Sequence, residues 1–311
     1  LRFSQQAIAV LQAIFVTVLW ASSWVLIKLG LRASLPALTF AGLRYVLAFL
    51  CLMPFVLLNP TNRAAIRSLT QKDWVRLALL GVVFYTLTQG SQFLSLAYLP
   101  AAMASLLLNL TPLVVGLFGI LFLREYPSPG QWVGIGLTIV GVAVYFLPFD
   151  MEAVPWIGIL VALIGVIANA ASSLLGRQVN RLATSSPLIV TFTSMGIGAV
   201  LLLLLGVLFQ GFGELDWQGW LLIAWLAIVN TAFAFTLWNH TLRTLSAVES
   251  SIINSLMMPQ IALLAYFFLG EALNAREIMG LILVGLGVLA VQLQRKPILY
   301  KDVSSAESKA S

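Results

Sequence analysis

The second half of the chain rewrites the first at a fixed offset of 146 residues. Trp74 falls on Trp220, Leu99 on Leu245, Ala101 on Ala247, Ser105 on Ser251, Glu125 on Glu271, Gly134 on Gly280 and Gly141 on Gly287. Earlier in each half the register drifts: Ser22-Ser23 meets Ser172-Ser173 and Pro36 meets Pro187 a few residues further on, so loop lengths differ while the order of elements holds. Each half carries about five apolar spans. An odd number forces the second copy to sit upside down relative to the first, and inverted repeats are the architecture of alternating-access carriers. The expected organisation is a first five-helix repeat over 1–148, an inverted second repeat over 149–294 and a tail over 295–311.

Composition independently places the chain in a bilayer. A soluble domain is about 25% charged, whereas this chain is 9% charged and 60% hydrophobic, with a mean hydropathy of +1.00. Its single cysteine, Cys51, lies in an apolar run, which rules out an intrachain disulfide and leaves the redox compartment open. A pI near 9.7 invites a nucleic-acid reading. The Lys and Arg residues, however, concentrate in loops and the tail rather than on one face, so membrane topology accounts for the charge and no nucleic-acid partner is expected.

Spans of roughly 20 residues fall at about 8 to 30, 34 to 58, 74 to 96, 99 to 123, 129 to 147, 155 to 177, 186 to 210, 218 to 240, 246 to 269 and 275 to 293. Helices satisfy their own backbone hydrogen bonds in lipid, and a barrel would show short alternating segments instead. The expected fold class is therefore all-α integral membrane, with ten transmembrane helices as two inverted repeats. The first span is too long to read as a cleaved signal peptide, and Leu at position 1 points to a trimmed start.

Orientation follows the basic residues. With the N-terminus inside, one face receives Arg63, Arg67, Lys72, Arg124, Arg177, Arg181, Arg243 and the basic tail, while the other receives Lys28, Arg32, Arg276, Asp150, Glu152, Glu214 and Asp216. Both termini are expected to be cytoplasmic, in a cell inner membrane. The tail from Arg295 reads as a solvated end with a possible weak pull toward anionic lipid.

No G-x-x-x-x-G-K-[ST] loop, H-E-x-x-H or G-x-S-x-G occurs, and the chain has one His. An ATP-driven pump or metal-dependent hydrolase has nowhere to put its chemistry, and neither a carbonyl-lined filter nor a charge ring marks a channel. A carrier without cofactor, metal or catalytic residues is the expected class.

Leu19-Trp20-Ala21-Ser22-Ser23 resembles the W-[GA]-S pattern that opens members of the drug/metabolite transporter superfamily. Its companion is Pro112 to Glu125, repeated with one residue fewer from Pro259 to Glu271, with Gly134 and Gly141, then Gly280 and Gly287, following each Glu at the same spacing. The pattern is similar to the EamA-type repeat and covers both halves. Arg44 also fits the first copy, while the second has Met195 or a neighbour there, a departure. The resemblance implies ten helices, a five-plus-five inverted repeat and small-metabolite transport, commonly export, across substrates from amino acids and drugs to sugar phosphates and nucleotide sugars.

Carriers of this kind bind substrate near the midplane between repeats, so the candidates are polar and aromatic residues halfway along spans. The third span offers Tyr85, Gln89 and Gln92 on one helical face; the eighth offers Asn230, Trp238 and Asn239. The fourth and ninth offer Ser105 and Asn109, and Ser251, Asn254 and Ser255. The first and sixth offer Trp20, Ser22 and Trp24, and Asn169, Ser172 and Ser173. Amides facing lipid are costly and hold a substrate through donors and acceptors, yet Ser and Asn also simply join helices. Arg44, mid-span, either binds a substrate carboxylate or holds helices together. Trp217 and Trp220 read as an interfacial belt.

Glu125 and Glu271 end their spans and are expected to bind the N-terminal backbone of the next helix. Pro112 and Pro259 favour kinks. The fifth- and tenth-span glycines permit close packing, as scaffold or dimer contact, leaving monomer and homodimer both open. Glu249, His240 and Arg243 cluster at the cytoplasmic end of spans eight and nine, read as a gate-locking ion pair with a snorkelling His, or alternatively a proton-coupling group. Lys28 is expected to snorkel.

The composite expectation is an exporter of small amphipathic metabolites such as aromatic amino acids, with multidrug or organic-cation efflux next and a phosphate-bearing substrate third, for want of mid-span cations. A membrane enzyme or non-transporting scaffold is the alternative from a different class.

Overall fold

The computed structural model describes residues 5–33, 35–111, 113–114, 128–146, 155–182, 186–241, 244–245, 253–254 and 256–293. The structure among them is all-helical, and each predicted span contains a described helix. In chain order these are α1 (Gln5–Arg32), α2 (Ala37–Leu57), a short α3 (Pro60–Arg67), α4 (Gln71–Gly81), a π-helical segment Val82–Thr88, α5 (Gln89–Tyr98) and α6 (Ala101–Leu108), then α7 (Pro129–Phe146). The second half adds α8 (Trp156–Leu182), α9 (Pro187–Gln210), α10 (Trp217–Ala227), a π-helical segment Ile228–Phe233, α11 (Ala234–Thr241), α12 (Met257–Leu269) and α13 (Ala275–Leu293).

Gln5–Arg32, Ala37–Leu57, Gln71–Tyr98, Trp156–Gly176 and Leu188–Gln210 are long and apolar enough to cross a membrane. Their outer surfaces are apolar, with Phe55, Leu208 and Phe209 70%, 77% and 78% exposed. Side chains of this size facing outward are expected where the solvent is lipid rather than water. Trp217 and Trp220 also face out, at the start of α10.

Local sequence explains where the helices start. Thr70 and Asp73 form a reciprocal capping box on α4, Asp216 accepts from the Gly219 amide at 2.7 Å on α10, and Asn274 with Glu277 closes α13 through bonds of 2.8 and 2.9 Å. The amphipathic α3, capped by Asn59, turns Ala65 and Ile66 against the core.

Packing between the halves is reciprocal. α1 packs on α11 and α12, while α8, the opening helix of the second half, packs on the first π segment, α5 and α6. α2 packs on α9 and α7 on α13, so these two pairs join each helix to its own repeat counterpart. A twofold relation between halves produces this pattern.

Glycine makes the counterpart contacts possible. A Cβ on Gly280 would stand 2.8 Å from the Gly141 carbonyl oxygen, and one on Gly141 2.7 Å from the Val284 nitrogen. Of the two roles expected for these glycines, the structure shows the scaffold one: their faces are filled within the chain.

Candidate functional site

Spans three and eight, helical in the sequence reading, each contain a π segment, and the two begin 146 residues apart, at Val82 and Ile228. An i→i+5 turn is rare and occurs frequently at functional sites. The fourth span is interrupted as well: α6 ends at Leu108 and the chain turns through Asn109 and Leu110. In the ninth, α12 starts after a turn at Leu256. Pro259 thus lies in the first turn of a helix, where a missing N–H costs little, rather than at a kink inside a continuous one. Interrupted helices at corresponding places in two repeats point to the binding region of a carrier.

Two clusters form around the second π segment. In the first, Arg44 of α2 is 4% exposed and its Nε donates to Thr231 Oγ1 at 3.0 Å. Its guanidinium carbon lies 5.2 Å from the Tyr45 ring centroid and 5.9 Å from that of Phe93. Tyr45 packs edge-on to Tyr85 and donates to Gln89 Oε1 at 2.6 Å. Among the described residues no carboxylate is ion-paired with Arg44. In the second cluster, Asn230 Nδ2 donates to the Leu19 carbonyl and to Ser22 Oγ. Trp20 meets Phe235 and Trp238 at centroid distances of 5.1 and 5.2 Å. The adjacent residues Asn230 and Thr231 join the two clusters.

The remaining candidates divide. Asn169 of α8 donates to Thr111 Oγ1 at 3.2 Å, linking the sixth span to the interrupted fourth. Asn109 Nδ2 donates back to the Ser105 carbonyl, and Ser105 and Ser172 donate to Ala102 and Asn169 carbonyls in their own helices. Gln92 is half-buried and accepts from Ser95 through its carbonyl. Asn254 is exposed. Thr231, Tyr45, Phe93 and Phe235 join the clusters without having been singled out from the sequence. Thr231 is the repeat counterpart of Tyr85 and was findable by register. Pro112, Arg124, Glu125, Arg243, Glu249, Ser251, Ser255, Asp150, Glu152 and the tail lie outside the described residues, as do the side chains of Arg177, Arg181 and Asn239; His240 is exposed.

At the opposite end of α1 two expectations are corrected. Glu271 does not bind the next helix, which has its own cap; its carboxylate accepts from the Ala101 and Ala102 amides at 2.9 and 3.2 Å, capping α6 of the other half. Lys28 does not snorkel, because Nζ finds the Leu96 and Leu99 carbonyls at the end of α5, at 2.6 and 2.7 Å. Arg32 donates to the Leu269 carbonyl at the end of α12. Helix ends of both halves are thus tied together by charged groups matched to their dipoles. Glu271→Ala is expected to lower stability by about 1–2 kcal/mol, the range for a lost helix cap, read as a fall in the Tm of the detergent-purified protein. An unchanged Tm would mean that the cap contributes nothing.

An apolar helical fold, two halves that exchange partners, and polar clusters beside interrupted helices define a membrane transporter. The model of the EamA-like transporter family matches residues 7–147 and 156–293, and the chain belongs to that family, within the drug/metabolite transporter superfamily. It is 27% identical over 286 residues to the uncharacterized transporter YvbV of Bacillus subtilis, covering 91% of this chain and 90% of that one. It is 25% identical over 304 residues to the uncharacterized inner membrane transporter YedA of Escherichia coli, covering 94% of each. A solved crystal structure with 19% identity superposes with a TM-score of 0.62, covering 93% of this chain and 99% of that one, which places the fold alone. The family's members are transporters rather than enzymes.

Proposed function

We propose that the protein exports small amphipathic metabolites, foremost amino acids with a large or aromatic side chain, across the inner membrane by alternating access. The observation that carries this reading is Arg44, a buried guanidinium whose hydrogen-bond partner is a hydroxyl and whose surroundings are the aromatic faces of Tyr45 and Phe93. A buried cation calls for an anion, and a substrate carboxylate supplies one while the aromatic residues take an apolar side chain. The Trp20–Phe235–Trp238 cluster supports a second reading, efflux of organic cations. Counterflow in proteoliposomes at equal internal and external pH, across aromatic amino acids, organic cations and nucleotide sugars, separates them. The amino-acid reading expects labelled phenylalanine to exchange without a pH gradient, and fails if only cations or nucleotide sugars exchange.

The proposed orientation puts both termini and Lys72 in the cytoplasm and the loop holding Asp150 and Glu152 on the other face. In a Cys51→Ala background, single cysteines at 72 and 181 should label only from the cytoplasmic side and one at 150 only from outside. Labelling of position 150 from the cytoplasm would overturn the division into repeats over 1–148 and 149–294.

A further inference from the structure

The connection between spans two and three carries a basic surface pocket. Pro60–Arg67 folds there as α3, and its two faces differ. Ala65 and Ile66 pack against the core, and Asn62 Nδ2 donates to the Phe55 carbonyl at 3.3 Å, tying the helix to the last turn of α2. Pro60, Arg63, Ala64 and Arg67 follow the i, i+3, i+4, i+7 spacing of the opposite face and are exposed. Together with Ser68 they line an open pocket of about 570 Å³, within the range of about 300–1,000 Å³ typical of small-ligand sites. Arg63 and Arg67 stand one turn apart on that face, close enough to hold one ligand. Neither has a carboxylate partner among the described residues: Asp73, the first acid in the sequence, accepts from Thr70 and pairs with Arg76. Directly before Pro60 the surface is apolar. Phe55 and Leu58 are 70% and 79% exposed, as large apolar side chains are where they meet lipid. The bilayer edge therefore passes at α3, where headgroup phosphates lie.

We propose that this pocket is the headgroup site of an anionic phospholipid. The Arg63 and Arg67 guanidinium groups hold its phosphate through charge-assisted, forked hydrogen bonds, and its acyl chains run along α2 past Leu58 and Phe55. An exposed arginine gains little from a free phosphate, because water screens the pair. A lipid adds the apolar contact of its chains with α2. An anionic headgroup suits the pocket better than a zwitterionic one, whose ammonium would meet two guanidinium groups and no carboxylate among the residues lining it. The site stands apart from Arg44 and the π segments and does not depend on which substrate is carried.

The test titrates the full-length protein, purified in a neutral detergent, with phosphatidylglycerol, phosphatidylcholine and inorganic phosphate, and reads bound lipid by native mass spectrometry. Phosphatidylglycerol should bind at least about tenfold more tightly than phosphatidylcholine, as one charged hydrogen bond dictates. Arg63→Lys combined with Arg67→Lys keeps the charge and loses the fork, so it should weaken phosphatidylglycerol about tenfold. Lys72→Gln, exposed at the start of α4 but outside the pocket, should leave binding unchanged. Diffuse attraction to a basic surface, about fivefold per charge, gives the reverse pattern: loss in Lys72→Gln and none in the double lysine variant. That pattern overturns the site, as does equal binding of the two lipids. Displacement of phosphatidylglycerol by inorganic phosphate at the lipid's own concentration would make the pocket a soluble-anion site and overturn the lipid as its occupant. Because both arginines are exposed, the double variant should keep the wild-type Tm without lipid. A lowered Tm would show that they hold α3 in place instead, which also counts against the proposal.

Discussion

Gly280→Leu is expected to eliminate most of the folded protein, and Gly141→Leu to do the same, whereas Gly136→Leu should be recovered at wild-type levels. The three glycines share the tightly packed α7–α13 pair but differ in what a side chain would meet. At Gly280 the first added carbon stands 2.8 Å from the Gly141 carbonyl oxygen and 2.9 Å from the Tyr145 Cα; at Gly141 it stands 2.7 Å from the Val284 nitrogen. These are mostly backbone atoms of helices already held by their own hydrogen bonds, so neither partner yields without the pair moving apart. Overpacking a well-filled interior costs about 1–3 kcal/mol and more where backbone blocks relaxation, so about 3 kcal/mol is the expected floor here. At Gly136 nothing lies within 4 Å, and leucine's better helix propensity favours the variant slightly. Size-exclusion yield and Tm in detergent read the outcome. A monodisperse Gly280→Leu protein with wild-type Tm would show that α7 and α13 do not pack as described.

That a close approach occurs on these two spans was legible in the sequence, because Gly134 and Gly141 recur as Gly280 and Gly287 and a residue without a side chain permits close packing; that the two spans pack on each other, rather than on a second copy, was not. Span positions were legible for the same kind of reason, since lipid imposes one composition on everything it touches. The π segments were not. An i→i+5 turn has no residue signature, and here it begins directly after Gly81, whose backbone packs against Gly198 of α9, a contact made by tertiary structure alone. Glu271 and Lys28 show the same division. Sequence placed Glu271 at a helix end with the chemistry to bind a helix terminus and expected Lys28 to snorkel, but the terminus that each one binds was set by tertiary packing. Of the candidate site, the residues that came together, Trp20, Ser22, Arg44, Tyr85, Gln89 and Trp238, lie in, beside or packed against the two π segments. Gln92 and Asn254 were chosen for polarity within an apolar span, a property that does not specify which way a side chain turns.

Arg44→Met is expected to reduce phenylalanine counterflow about a hundredfold while leaving Tm at or above the wild-type value. The two halves of that expectation have separate physical causes. A carboxylate held by a desolvated guanidinium gains charge-assisted hydrogen bonds worth about 1.5–3 kcal/mol, and the upper figure is a factor of roughly a hundred. Stability should not fall, because the arginine's ties to the protein are modest. Its hydrogen-bond partner Thr231 Oγ1 donates independently to the Leu226 carbonyl at 2.9 Å, so removing Arg44 leaves no buried hydroxyl unsatisfied. Replacing a buried cation that has no anionic partner among the described residues by an apolar side chain of similar length also removes a desolvation cost. Arg44→Lys should recover only part of the activity, since a point charge on a flexible stem cannot contact Thr231 and present a planar pair of donors to a carboxylate together. If Arg44 instead serves to join α2 to the second π segment, Arg44→Met will lower Tm and reduce phenylalanine and phenylethylamine binding alike. A selective loss of carboxylate-bearing ligands, with phenylethylamine binding and Tm intact, is the outcome that assigns the guanidinium to the substrate.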